Sequence, residues 1–135
     1  MGIEIGMRML ADLSPYDVGQ AAVVAGERVL AIEGPEGTDR MLARTGRLSR
    51  WRRWRRLPAA GVLVKRVKLG QDLRVDLPAI GPRTVANAAK SGLRGIAVAA
   101  GHTLILDRAR TVAEADRLGL FLIGAATQVG GAAAP

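Results

Sequence analysis

The first thirteen residues place apolar side chains at Ile3, Met7 and Leu10, an i, i+4, i+7 spacing that gathers them on one face of a helix over Ile3–Leu13. Ser14-Pro15 stops it, because proline disfavours helical backbone in the residue before it. Two β-compatible runs follow, Ala21–Val24 and Val29–Ile32, on either side of Ala25-Gly26-Glu27-Arg28, and together they predict a hairpin. From about Thr38 the spacing is helical again: Met41, Leu48, Trp51 and Trp54 share a stripe, and the helix has to end before Pro58. Gly61–Val64 is a short apolar run of the kind found in buried strands. Residues 72–77 alternate strictly, with Leu73, Val75 and Leu77 on one face of a strand and Asp72, Arg74 and Asp76 on the other.

Gly81-Pro82 opens the next helix, since proline suits the first helical position. Val85, Ala88, Ala89 and Leu93 mark its inner face, and Gly92 lies near its end. Gly95–Ala99 and Thr103–Leu106 read as strands, with His102 in the turn between them. Thr111-Val112-Ala113-Glu114 has the form of a capping box that starts a helix, Gly119 closes that helix, and Leu120–Ile123 is a last strand. Tyr16 and Phe121 read as packing residues. Strands that alternate with helices after an opening helix and β-hairpin predict a single α/β domain over residues 1–124, a mixed β-sheet flanked by helices. The small, weakly patterned residues 125–135 read as a flexible tail.

Composition narrows the chemistry. At 135 residues, 49% of them hydrophobic and 24% charged, the chain is long enough for one core and too apolar to be disordered. It has no cysteine and one histidine, so a disulfide framework, a thiolate metal site, a cysteine nucleophile and a serine-histidine relay are excluded or starved of partners. Catalysis has to rest on Asp, Glu, Lys, Arg and backbone groups. No uncharged apolar run approaches the roughly 18 residues of a membrane span, and the first residues lack the basic start of a signal peptide. These features, with the absence of cysteine, fit a cytoplasmic protein. The net charge of +8 is mainly local, because five positive charges fall within Arg50–Arg56.

Three stretches can carry chemistry. In Glu33-Gly34-Pro35-Glu36-Gly37-Thr38-Asp39, acidic groups and a threonine gather where a helix starts. Glu36 and Asp39 can bind a hard cation there or simply complement the helix dipole. Lys65 to Thr84 collects Lys65, Asp72, Arg74, Asp76, Arg83 and Thr84. Asp72 and Asp76 stand roughly 13 Å apart on an extended strand, so they do different jobs or form a solvated ladder with Arg74. Ile80-Gly81-Pro82-Arg83-Thr84 offers a helix N-terminus with a guanidinium and a hydroxyl beside it, a cradle for a diphosphate. The third stretch, Trp51, Arg52, Arg53, Trp54, Arg55 and Arg56, suits stacking on nucleic acid, attachment to an anionic membrane surface, or packing of the tryptophans with solvated arginines.

Four ordered motifs give these stretches a context: Asp17-Val18-Gly19-Gln20, Glu36-Gly37-Thr38-Asp39, Gln71-Asp72-Leu73-Arg74-Val75-Asp76-Leu77-Pro78 and Ile80-Gly81-Pro82-Arg83-Thr84. Together they resemble the C-terminal domain of the UDP-2,3-diacylglucosamine pyrophosphatases of the non-calcineurin type, from about Ile3 to Gly124. The chain departs from that pattern at Leu69, where proline is expected, and at Ala99, where relatives often carry glutamate. The resemblance implies a Mg2+-dependent enzyme of lipid A biosynthesis that hydrolyses UDP-2,3-diacylglucosamine to UMP and 2,3-diacylglucosamine 1-phosphate (lipid X). It also implies a missing N-terminal domain of the same enzyme and work at the cytoplasmic surface of the inner membrane. Carried over by residue, Asp76 and Asp72 are the catalytic carboxylates, and Asp76, Glu36 and Asp39 the metal candidates. Lys65, Arg74, Arg83 and Thr84 would hold the diphosphate, while Trp51, Trp54, Arg52, Arg53, Arg55 and Arg56 would contact the membrane. The competing reading is a non-catalytic RNA- or membrane-binding module that acts through the Arg-Trp helix.

Overall fold

A computed structural model describes residues 2–50, 61–67 and 78–126. In chain order it contains α1 (Gly2–Leu13), a 3-10 turn (Ser14–Tyr16), β1 (Ala21–Ala25), β2 (Arg28–Ile32), α2 (Thr38–Arg50), β3 (Val62–Lys65), β4 (Ala79–Ile80), α3 (Pro82–Lys90), β5 (Gly95–Ala99), β6 (Leu104–Ile105), α4 (Arg108–Leu118) and β7 (Phe121–Ala125). Five strands form one sheet in the order β2-β1-β3-β5-β7. β1 is antiparallel to both neighbours, whereas β3, β5 and β7 are mutually parallel. β4 and β6 make a separate parallel ribbon. The predicted α/β class with a mixed sheet flanked by helices is the architecture found.

The central strands are buried along their whole length, which is why they read as unbroken apolar runs: a strand covered on both faces has no polar side to alternate with. On one face Val23, Leu63 and Ile96 pack with Met41 and Leu42 of α2, Val85 and Ala88 of α3 and Ala115 of α4. On the other, Ala22, Val24, Val64 and Ala97 pack with Met7 and Leu10 of α1. Successive residues of β1 therefore serve opposite layers, as a period of two requires. Ile96, fully buried on a central strand, tests this core. Ile96→Val is expected to lower the unfolding free energy by about 1 kcal/mol, read as a lower urea midpoint at unchanged slope.

Several boundaries differ from the sequence reading. The hairpin turn is tighter, because Arg28 joins β2 and pairs with Ala25. α4 begins at Arg108, so Thr111 lies inside the helix and does not cap it. Its hydroxyl donates to the Leu106 carbonyl at 2.6 Å, while Glu114 receives the Arg117 guanidinium at 3.1 Å. The capping-box letters thus serve other bonds. Gly119 does close α4, at φ 74 with its N–H on Ala115 O and Asp116 O, the left-handed conformation that favours glycine. β7 runs to Ala125, whose carbonyl takes the Ala100 N–H at 2.9 Å, so the ladder extends one residue past the predicted domain end. Tyr16 is 74% exposed and does not pack as expected. The predicted strand over 72–77, the Arg-Trp helix beyond Arg50 and the tail from residue 127 lie outside the described residues.

Candidate functional site

β2 and β3 both run antiparallel to β1, so the carboxyl ends of β2, β3, β5 and β7 share one end of the sheet. Open α/β sheets bind ligands outside the carboxyl ends of their strands, where helix N-termini also point. Three neighbouring strands present polar groups there. Glu33 continues β2, with its N–H on the Ala21 carbonyl at 2.8 Å. Gln20 precedes β1 and donates its backbone N–H to Glu33 Oε1 at 3.0 Å. Lys65 ends β3, directly opposite Ala21.

Lys65 is buried, and its ammonium donates to the Ala79 carbonyl at 3.0 Å. Burial pushes its pKa below the ordinary lysine value, while the carboxylates of Glu33 and Asp39 pull it back up. This cation lies inside the protein between two acids, one at the end of β2 and one on the first turn of α2. Glu33 is itself fixed by the hydroxyl of Thr38, the first residue of α2, and by Gln20. Asp39 reaches across to α3, where Asn87 Nδ2 donates to Oδ1 at 3.0 Å and Arg83 Nε stands 3.3 Å from Oδ2. Arg83 and Asn87 are four residues apart, hence neighbours on one helix face.

The α3 N-terminus completes the group. Gly81 donates its N–H to Thr84 Oγ1 at 3.1 Å, which leaves the Thr84 hydroxyl proton available to a ligand. The N–H groups of the first turn lack partners within the helix. An exposed guanidinium, a buried ammonium, a hydroxyl and a helix N-terminus together suit a doubly charged phosphate group.

Of the sequence-predicted residues, Lys65, Asp39, Arg83 and Thr84 are brought to this end of the molecule. Glu36 is held by Arg44 of α2, which also donates to the Ile32 carbonyl at 3.3 Å. Among the described residues, no group of three or more His, Asp or Glu side chains stands close enough to hold a metal ion. Asp72, Arg74 and Asp76, with Trp51, Arg52, Arg53, Trp54, Arg55 and Arg56, lie outside the described residues. His102 sits in the turn after β5, with Nδ1 3.0 Å from the Ala100 carbonyl.

The sequence reading counts Glu33 in an acidic stretch and Gly19 in a motif without giving either an individual role, and it passes over Asn87. For Asn87 the signal was its i+4 spacing from Arg83. Gly19 packs directly on Glu33: a Cβ there would stand 2.6 Å from the Glu33 Cβ and carbonyl oxygen. Gly19→Ala is therefore expected to displace Glu33 and to cost about 1–2 kcal/mol of stability, measured by urea unfolding. An unchanged midpoint would show that the contact has slack.

The family described as the LpxI C-terminal domain matches residues 1–123. The chain is also 44% identical over 122 residues to the UDP-2,3-diacylglucosamine pyrophosphatase LpxI of Caulobacter vibrioides, an alignment covering 90% of this chain and 44% of that protein. The chain thus spans less than half the length of this relative.

Proposed function

The chain belongs to the LpxI C-terminal domain family, and from that premise we propose that it holds the diphosphate of UDP-2,3-diacylglucosamine in a pyrophosphatase of the non-calcineurin type. The observation that carries this reading is the meeting of buried Lys65, Arg83 and the α3 N-terminus at the carboxyl end of the sheet. Water attacks the phosphoric anhydride, releasing UMP and 2,3-diacylglucosamine 1-phosphate for lipid A biosynthesis. A diphosphate resists attack because its oxygens are negatively charged, so the protein's first task is to neutralise them in fixed positions.

Lys65 does this as a charge already stripped of water, held by the Ala79 carbonyl and within the field of Glu33 and Asp39. Arg83, exposed and paired only at the surface with Asp39, can exchange that weak pairing for a phosphate at little cost. Thr84 and the first-turn N–H groups orient the phosphate. Asp76 and Asp72, with Arg74 between them, supply the carboxylates that the reaction requires. Among the described residues no three carboxylates gather, so Asp39 and Glu36, which carry exposed pairings with Arg83 and Arg44, would hold Mg2+ together with Asp76, and none of the roles given to Lys65, Arg83 and Thr84 depends on the ion. This reading calls for an N-terminal domain as well, in keeping with the description of the family as a C-terminal domain.

The test is nucleotide release from UDP-2,3-diacylglucosamine with Mg2+, by the chain joined to the N-terminal part of the Caulobacter relative. Equimolar UMP and 2,3-diacylglucosamine 1-phosphate support the proposal, and release of UDP or of no nucleotide overturns it.

Among the described residues no helix is long and apolar enough to cross a membrane. We place the enzyme at the cytoplasmic face of the inner membrane, because a diacylated substrate has to come from a bilayer and the Arg-Trp run carries groups that favour an anionic interface. Replacing Arg52, Arg53, Arg55 and Arg56 with Gln is expected to weaken co-sedimentation with anionic vesicles, each arginine contributing roughly 1 kcal/mol, and to leave turnover on detergent-dispersed substrate little changed. Equal loss in both assays would place the run in the active site instead.

A further inference from the structure

Glu33 ties together three pieces of the chain that meet at the carboxyl end of the sheet. Its side chain accepts the Gln20 N–H on Oε1 at 3.0 Å and the Thr38 hydroxyl on Oε2. Its main chain is engaged as well, with the Gly19 N–H on its carbonyl at 3.0 Å and its own N–H on the Ala21 carbonyl at 2.8 Å. The entry to β1, the exit from β2 and the first residue of α2 are therefore fixed on one half-buried residue. The loop between Glu33 and Thr38, Gly34-Pro35-Glu36-Gly37, has glycine at both ends. Glycine restrains the backbone least, so the placement of α2 falls to the side-chain contact that closes the loop.

Thr38 is followed by Asp39, whose carboxylate meets Asn87 at 3.0 Å and Arg83 at 3.3 Å. A continuous set of contacts thus runs from the sheet through Glu33, Thr38 and Asp39 to Arg83 on α3, while Lys65 stands on the sheet itself at the end of β3. The two cations of the phosphate site sit on different elements, and this path links them. We propose that Glu33 is a positioning residue: by holding Thr38 it fixes the first turn of α2 on the sheet, and Asp39 passes that placement to Arg83. This rests on the diphosphate reading above and adds to it a residue that acts through its neighbours and not on the phosphate.

Charge and position predict opposite signs, which makes the test sharp. Removing an anion beside a phosphate site strengthens binding by electrostatics alone, whereas loss of a positioning contact weakens it. UDP is titrated calorimetrically into the chain without added Mg2+. Glu33→Ala is expected to weaken UDP binding by about fivefold, the size of coupling found within one hydrogen-bonded network. Glu33→Gln should bind UDP at least as well as the wild type, since its amide oxygen can accept from Gln20 while its NH2 donates to Thr38 Oγ1. Thr38→Val, which leaves the charge in place, should also weaken binding about fivefold, and Thr38→Ser should restore it. In an Arg83→Ala background Thr38→Val should change the affinity by less than about twofold. Matched circular dichroism confirms that the variants are folded. Glu33→Ala that binds UDP as tightly as the wild type, or tighter, overturns the inference, as does a Thr38→Val loss that persists in full without Arg83. In either case a lowered affinity in Arg83→Ala leaves the diphosphate reading standing. If Arg83→Ala leaves UDP affinity unchanged, both fail.

Discussion

Asp76→Asn is expected to abolish release of UMP from UDP-2,3-diacylglucosamine, lowering turnover by roughly a thousandfold or more, while moving the thermal midpoint little. The sequence alternation over residues 72–77 predicts that Asp76 shares a polar face with Asp72 and Arg74, and the family resemblance marks the same motif. The fold adds an independent reason. Two described residues near it in sequence belong to the same end of the sheet: Lys65, which ends β3, and Pro78, whose carbonyl accepts the Leu104 N–H at 2.9 Å beside Ala79. Asparagine keeps the size and removes the charge, so a folded, inactive protein would assign the loss to the carboxylate. Near-normal turnover in a folded Asp76→Asn protein would remove Asp76 from the mechanism. UDP binding, governed by the cations, should survive the substitution in either case.

How far this site could be read from residues alone depended on whether the signal was local. Pro82 at the first position of α3 and Gly119 after α4 announce their helices because each residue's own backbone preference makes the boundary. Thr111 and Glu114 misled for the converse reason. A capping box is only four letters, and the same hydroxyl bonds the Leu106 carbonyl from inside the helix when Asp107 adopts φ 45. Arg83 could be proposed for a phosphate from its place at a helix N-terminus, and Lys65 from the family resemblance. That Lys65 is buried, and that Glu33 and Asp39 flank it, depends on β2, β1 and β3 lying side by side in an order that no short window reveals. Gly19 shows the same limit. Its lack of a side chain matters because of Glu33, fourteen positions away in sequence and adjacent only through the hairpin.

Lys65→Met is expected to weaken binding of UDP by roughly a hundredfold, about 2–3 kcal/mol, because it removes the buried cation beside Glu33 and Asp39 and leaves their negative charge less balanced where the phosphate has to sit. The charge itself can be titrated. Burial holds the Lys65 pKa below the ordinary value of 10.5, so the folded protein gives up this proton at a pH where an exposed lysine would keep it. UDP affinity should therefore fall as pH rises through the lowered value. Stability moves the other way. Below the folded pKa, lysine is protonated in both states, and the cost of burying the ammonium stands in full. Between the folded pKa and 10.5 the unfolded chain holds the extra proton, so stability rises with pH across that window. Lys65→Arg separates the charge from its titration, since guanidinium stays ionised throughout. Titrating UDP into both proteins from neutral to alkaline pH cancels the ionisation of the nucleotide itself. The wild-type affinity should begin to drop relative to that of the arginine variant below pH 10.5, and parallel profiles would mean that Lys65 does not contact the phosphate.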